Sequence, residues 1–312
     1  MSRALICGSM AFDTIMVFQD QFKNHILPDK VHILNVSFFV PEMRREFGGC
    51  AGNIAYNLNL LGGKPVPMAT VGQDFGSYRA HFDNCGIPLG HVKAIPDLFT
   101  AQAFITTDLD DNQITAFHPG AMMRSYENHV TDVEEVAFGI VGPDSYQAML
   151  QNCREFKECG IPFIFDPGQA MPLFNGDELK QMINQATYVT VNDYEALLMT
   201  DKTGLSVEEI RDMVEAYIIT RGDKGSEIHT KDGVIQIPAA KPLNVVDPTG
   251  CGDAYRAGFI YGLMNGKDLT TSGRMASLMG ALKIEHLGPQ NQHFDYAQFA
   301  AKFKKAFGYS ID

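Results

Sequence analysis

The sequence predicts an α/β fold: helices on both faces of a mostly parallel central sheet, three layers in all, with a small second β-sheet attached. Three observations carry this. Short apolar runs bounded by Gly, Pro or Asp alternate with longer helical patterns from end to end, as in a parallel sheet covered on both faces. The 312 residues are long for one simple domain and short for two large ones. Two segments, Thr14–Arg45 and Phe99–Phe117, break the alternation with runs of β type.

In chain order, Ala4–Cys7 reads as the first strand, Asn53–Leu61 as a helix after a glycine-rich turn, and Pro67–Val71 as a strand. Val136–Val141, Phe163–Phe165, Tyr188–Val191 and Tyr217–Thr220 are further short apolar runs of strand length. Ala254–Met264 and Arg274–Glu285 carry the clearest helical patterns. Within the two breaking segments, the β-type runs are Val31–Val36, Ala101–Thr107 and Gln113–Phe117. The last two are joined by Asp108-Leu109-Asp110-Asp111-Asn112, a turn-rich bridge. The expected division is a main domain of residues 1–13, 46–98 and 118–312, with residues 14–45 and 99–117 forming the small sheet. A plain hairpin, or extra strands of the main sheet, is the other reading of those segments.

A net charge of −12 argues against nucleic acid or an anionic membrane surface as partner. The N-terminus has one basic residue and too short an apolar run for a signal peptide, and the chain lacks an apolar run long enough to span a bilayer. The six cysteines show no Cys-x-x-Cys pair and no accompanying histidine pattern, so reduced thiols, a cytoplasmic setting and no zinc site are expected.

The densest chemistry lies in Asn244-Val245-Val246-Asp247-Pro248-Thr249-Gly250-Cys251-Gly252-Asp253-Ala254. Two valines read as a strand end, followed by a glycine-rich turn and a helix. Backbone N–H groups at such a helix start converge on one point and bind an anion. Asp253 then stands beside the anion, where like charges repel. Its presence makes sense if it takes a proton from a hydroxyl that attacks phosphorus. An ordinary turn with Asp253 as a helix cap is the bland alternative. The stretch is not a P-loop, because no Gly-x-x-x-x-Gly-Lys-Ser/Thr occurs: Gly62-Gly63-Lys64 is followed by Pro65. It is not a dinucleotide fingerprint either, since Gly250-Cys251-Gly252 is followed by Tyr255 where a third glycine belongs.

This stretch resembles the anion-hole signature of the ribokinase-like (PfkB) carbohydrate and nucleoside kinases, usually Asp-Thr-x-Gly-Ala-Gly-Asp. Pro248 stands for a threonine and Cys251 for an alanine, both where the backbone does the binding. The resemblance implies Asp253 as catalytic base and the amides of Gly250, Cys251 and Gly252 as donors to the transferred group. Cys251 also places a thiol at a helix N-terminus, where thiol pKa values tend to fall, so sensitivity to oxidation is an expectation.

Further motifs follow in the family's order. Gly8-Ser9-Met10-Ala11-Phe12-Asp13 trails the first strand. A carboxylate can hold two neighbouring hydroxyls, as a ribose diol requires, and the resemblance gives Asp13 that job. Gly48 and Gly49 would let the backbone approach the sugar, with Asn53 beside them. Asn192-Asp193-Tyr194-Glu195 fits the family's Asn-x-x-Glu, which organises Mg²⁺ and its waters; a helix cap with an acidic first turn is written with the same letters. Asp166, in Phe165-Asp166-Pro167-Gly168, is a further candidate for that network. Thr220, Gly222 and Gly225 match the turn near the ATP nucleotide, with Arg221 and Lys224 supplying positive charge. Ala281–Pro289 resembles the adenine and monovalent-cation loop: Gly288 matches, the next polar position does not match clearly, and the family often holds K⁺ on the counterpart of Asp247.

The implied fold is ribokinase-like, with the small β-sheet as a lid over the acceptor and a homodimer contact through it. The expected activity is ATP-dependent phosphorylation of the 5′-hydroxyl of a ribonucleoside with Mg²⁺, either adenosine kinase-like or broad among purine nucleosides. The phenylalanines of the lid, Phe117 among them, favour a nucleobase over a free sugar. A ribokinase- or fructokinase-like sugar kinase, and a non-catalytic nucleoside-binding sensor, are the other two readings.

Overall fold

The structure is a computed structural model that describes residues 2–26, 32–33, 35–110 and 112–311. Its strands and helices, in chain order, are β1 (Arg3–Cys7), β2 (Ala11–Val17), β3 (Glu42–Gly48), α1 (Cys50–Leu60), β4 (Lys64–Val71), α2 (Gly76–Cys85), β5 (Val92–Ala94), β6 (Ala101–Thr107) and β7 (Gln113–His118). Then come β8 (Val136–Val141), α3 (Tyr146–Glu158), β9 (Phe163–Phe165), α4 (Gly176–Gln185), β10 (Tyr188–Asn192), α5 (Asp193–Thr203), α6 (Val207–Met213) and β11 (Ala216–Thr220). The chain ends with β12 (Ser226–Thr230), β13 (Gly233–Ile237), α7 (Cys251–Met264), α8 (Leu269–Ile284) and α9 (Tyr296–Phe307).

Nine strands form one sheet in the order β13-β12-β11-β10-β9-β8-β1-β4-β5. Every pair from β5 to β11 is parallel, and β12–β13 is an antiparallel hairpin appended at the edge. The central strands are buried on both faces, which is why they read as continuous apolar runs. One face packs against α1, α2, α7, α8 and α9 around Phe12, Tyr78, Phe82 and Phe259; the other packs against α3 to α6 around Phe156, Phe165 and Met182. Helix starts are pinned chemically. Asn175, Asn192, Ser206 and Asp295 each close a reciprocal capping box with the acid or amide three residues on.

The second sheet has the order β3-β2-β6-β7. Ala101–Thr107 and Gln113–Phe117 form its strands β6 and β7 as expected, β7 extending to His118. Of the Val31–Val36 run, Val31 and Leu34 lie outside the described residues, and Asn35 and Val36 carry no strand. The pairing strands are β2 and β3, whose mixed polar and apolar letters hide their period. β2 begins at Ala11, so Asp13 lies within this sheet rather than in a turn before it. Phe18, Phe22 and Phe38 pack with His25 as the sheet's own aromatic core, so these three rings are not substrate contacts.

The closest helix pair is α7 on α8. A Cβ on Gly258 would lie 2.8 Å from the Ala276 Cα, and one on Gly262 would lie 2.5 Å from the Ser272 hydroxyl. Val245 and Val246 do not end a strand as expected. They are exposed, and the amides of Val246 and Asp247 donate to the Ile284 carbonyl at the end of α8. The turn before α7 is thus hung from α8. Gly258→Val should push these helices apart and destabilise the protein by about 1–3 kcal/mol. The check is the urea midpoint, which should fall at constant m-value; an unchanged midpoint would mean that the contact carries no stability.

Candidate active site

In the large sheet the chain runs outward in both directions from β1, to β4 and β5 on one side and to β8 on the other. The carboxyl ends of β1 and β8 therefore flank a crevice where open α/β sheets bind ligands. The start of α1 covers this point: a Cβ on Gly8 or Gly142 would lie 2.6 or 3.0 Å from the Cys50 thiol. The Cys50 thiol donates to the Pro143 carbonyl, and burial holds its pKa well above the ordinary range.

The N-terminus of α7 reaches the same crevice. Gly250 is its cap at φ +79°, a conformation that side-chain-bearing residues rarely adopt, and a Cβ there would also meet Pro289 at 2.6 Å. The Cys251 amide closes the turn onto the Pro248 carbonyl at 3.1 Å. It is therefore not free for an anion, contrary to the sequence expectation. The Gly252 and Asp253 amides lie in the first helical turn, where N–H groups have no carbonyl behind them.

Asp253 is not a bare cap. Its Oδ2 accepts from Asn53 Nδ2 at 2.8 Å, and Asn53 Oδ1 accepts from Gln290 Nε2 at 2.9 Å. Gln290 Nε2 also donates to the Tyr78 hydroxyl at 2.7 Å, Gln290 Oε1 bonds the His81 ring at 3.0 Å, and the Tyr78 hydroxyl donates to the Gly48 carbonyl at 2.8 Å. Burial raises the Asp253 pKa to about 6, with the nearby Asp166 and Asp13 adding to it and the Asn53 bond and Arg256 charge opposing. Desolvation is the largest cause, and it outweighs the opposing groups. The same holds for Cys251, whose thiol burial pushes up to about 11. It is not an activated thiolate.

Behind the turn, Arg256 forms a bidentate pair with Asp166, its NH2 donating to Oδ1 at 3.0 Å and its Nε to Oδ2. Both are buried. A Cβ on Gly252 would lie 2.8 Å from the Arg256 guanidinium, so that charge sits directly under the anion turn. Asp166 is thus committed to an arginine.

The acceptor side is built by the small sheet. Glu46, Asp13, Ala103 and Phe117 are register partners on β3, β2, β6 and β7, so they form one row on one face. Gly48 lies against Asp13, where a Cβ would be 2.4 Å from its carboxylate, and Gly49 adopts φ +83°. Burial, then Glu46 and Asp247, raise the Asp13 pKa to about 6. His118 falls on the opposite face, away from Asp13, by the same register.

On the other side of the α7 start, Asn192 and Thr220 are register partners at the ends of β10 and β11. Asn192 and Glu195 bond each other's backbone in a capping box, so the helix-cap reading of these letters holds. Burial raises the Glu195 pKa, with Asp166 adding to it and Arg256 and the Asn192 amide opposing. Gly222 and Gly225 have φ +56° and +88° in the turn after β11. Arg221 is not a free charge: it pairs with Glu227 at 2.7 Å. The Asp247 carboxylate accepts from the Thr249 and Gly288 amides, both at 2.9 Å. These bonds join the loop after α8 to the anion turn.

The model of the pfkB family of carbohydrate kinases matches residues 15–294. The chain belongs to this family. A nucleoside kinase of Methanocaldococcus jannaschii is 32% identical over 263 residues, which cover 82% of this chain and 85% of that one. One of Methanothermobacter thermautotrophicus is 31% identical over 314 residues, 98% of this chain and 96% of that one. Among solved structures, a Burkholderia thailandensis nucleoside kinase in complex with inosine is similar at a TM-score of 0.91 and 54% identity, covering 98% of this chain and 99% of that one. The same nucleoside kinase with ADP-inosine is similar at a TM-score of 0.88.

Gln290, Tyr78 and His81 escaped the sequence reading. Gln290 follows the Gly288-Pro289 pair, the position where the family pattern was unclear. Tyr78 and His81 are scattered letters on α2 with no motif of their own. Asp253 is thus oriented through a chain of amides. Gln290→Leu should lower kcat about tenfold while KM for ATP stays unchanged, as for a group acting only on the reacting geometry; an equal rise in KM at constant kcat would contradict this. Asp253 has its pKa raised from 3.8 to about 6, so the folded state holds this proton more tightly than the unfolded chain. The stability this brings is present below about pH 4 and is lost as pH rises through about 6. Asp253→Asn should therefore melt no lower than the wild type at pH 8, a calorimetric comparison that a purely structural aspartate would fail.

Proposed function

We propose that this kinase transfers the γ-phosphate of ATP to the 5′-hydroxyl of a ribonucleoside. The observation that carries the reading is the row Asp13–Ala103–Phe117 on the lid face. A carboxylate able to hold a 2′,3′-diol and an aromatic ring able to face a base share one surface, with a small alanine between them. A free sugar would leave Phe117, which is exposed, without a partner. The similarity to nucleoside kinases supports the same acceptor.

Asp253 accepts the proton of the attacking hydroxyl. Its raised pKa makes it a better base than an ordinary surface carboxylate. Asn53, held by Gln290, fixes the carboxylate so that one oxygen is aimed at the acceptor. The free amides at the start of α7, among them those of Gly250 and Gly252, take the transferred group, and the Arg256 guanidinium beneath them adds positive charge. Proton transfer need not run ahead of P–O cleavage, since the transition state is loose. Thr220, Gly222, Gly225 and Gly288 line the side assigned to the nucleotide.

Glu195 fits magnesium held through water: a hard oxygen donor, half-buried, with one carboxylate oxygen committed to its cap and its charge raised in energy by Asp166. Asn192, its capping partner, belongs to that water network. Asp166 contributes through Arg256 rather than as a free ligand. Among the described residues no group of three His, Cys, Asp or Glu side chains forms a direct cage. When bound, magnesium supplies charge neutralisation on the phosphates.

The lid is the sheet of β2, β3, β6 and β7, which takes in Asp13, Glu46 and Gly48, so it reaches beyond the expected segments 14–45 and 99–117 into the expected main domain of residues 1–13, 46–98 and 118–312. Its outer face, opposite Asp13, exposes Met43, Phe104 and Ile114. We assign that apolar face to a homodimer contact. No helix among the described residues is long and apolar enough to cross a membrane. With all six cysteines free, a cytoplasmic setting fits.

The test is ADP release from ATP and Mg²⁺ with inosine, adenosine, ribose and fructose offered separately. Turnover on the nucleosides should fall about 10²–10⁴-fold in Asp253→Asn, with ATP affinity nearly intact. Turnover on ribose or fructose alone would favour the sugar kinase. Tight nucleoside binding without turnover would favour the sensor.

A further inference from the structure

The loop between α8 and α9 and the turn before α7 meet over one buried cation. Lys283, in the last turn of α8, is fully buried. Its Nζ donates to the Asp247 carbonyl at 2.6 Å and to the His286 carbonyl at 3.2 Å. The Asp247 carboxylate faces the same space, bonded to the Thr249 and Gly288 amides, with Arg44 NH2 3.8 Å away. Burial lowers the Lys283 pKa, and Asp247, Cys251 and Glu46 oppose that shift.

A potassium ion in this loop would need those carbonyls. Such ions are held by rings of backbone oxygens that replace the hydration shell. Here the oxygens accept from an ammonium that cannot leave, and a second cation beside it would meet a like charge in a desolvated space. The residues present therefore do not fit bound potassium.

We propose that Lys283 is the resident monovalent cation of this kinase. It replaces a dissociable ion with a tethered one, clamps the Asp247 turn to the end of α8, and places a permanent positive charge behind the Cys251 end of the anion turn. Two consequences differ from a merely structural lysine. The wild-type protein gains nothing specific from K⁺. Removing the ammonium while leaving its space creates a site for a free cation of similar size.

The experiment compares the wild type and Lys283→Ala in KCl, NH₄Cl, NaCl and choline chloride at equal ionic strength, reading the thermal midpoint and ATP turnover. The wild type should show equal midpoints and turnover in all four salts. The Ala variant should have turnover lowered about tenfold or more in choline. It should gain several degrees of midpoint and recover turnover in KCl and NH₄Cl only, since an ion that binds only the folded state stabilises it. A K⁺-specific gain in the wild type would overturn the proposal, as would an Ala variant whose midpoint ignores K⁺. If the Ala variant does not fold, the wild-type titration decides alone. The turnover arm rests on the kinase reading, but the midpoint arm does not, so failure of one is distinguishable from failure of the other.

Discussion

The position of the first turn of α7 is the constraint on which the site depends. Phosphoryl transfer needs its reacting groups held within tenths of an ångström, and the proposed donors and base both lie on this turn. It is held from several directions. Small residues seat α7 directly on α8. Asp247 bonds the turn and the Gly288 loop at once. Lys283 ties the turn's backbone to the end of α8. Arg256 and Asp166 fasten its inner face to the end of β9. Asn53 reaches Asp253 from α1. No single one of these would suffice, because each restrains one direction only.

The electrostatics of the crevice follow from the same crowding. Asp13, Asp253 and Glu195 are all held above their ordinary pKa by burial, with neighbouring carboxylates adding to the shift. Asp247 goes the other way, because backbone amides, Thr249 and Lys283 favour its charged form against burial. The two kinds of carboxylate do different work. Asp247 is saturated with donors and serves as a structural anion. Asp253 has one side-chain donor and keeps a lone pair for a substrate. In a protein with a net charge of −12, the Arg256 guanidinium supplies a local positive charge beneath the α7 turn.

The large sheet was legible in the sequence because its strands are buried on both faces and bounded by Gly, Pro or Asp. Phe163–Phe165 and Val136–Val141 were recovered to the residue. The helices α7 and α8 were read short at their starts, since Gly252 and the Thr270-Thr271-Ser272-Gly273 stretch carry turn letters. β2 and β3 were missed because they twist across a sheet whose two faces do different jobs. Arg45 and Phe12 stack on one face while Asp13 and Glu46 line the other, so neither strand shows a clean apolar alternation. Motifs located Asp253, Asn53 and Asp13, but their partners in space, Gln290 and Tyr78, carry no motif. A hydrogen bond across more than two hundred positions leaves no trace in local spacing.

The start of α7 does not activate the Cys251 thiol, because burial outweighs the helix dipole. The dipole of α7 favours charge at Asp253 and Cys251, yet its effect is of order 1 kcal/mol at exposed termini and only about 2 kcal/mol in partly buried ones. Taking a carboxylate or thiolate out of water costs several times more when few donors replace the lost hydration. Under the proposed mechanism, the donors that could replace that hydration face the phosphate instead of Asp253. A base that is poorly solvated before substrate binds, beside amides that are poorly bonded for the same reason, is the arrangement that lets the incoming hydroxyl and phosphate satisfy both at once. The raised pKa of Asp253 and the idle amides of α7 are therefore two sides of one unsatisfied site, and neither could be relieved within the protein without closing that site to its substrates.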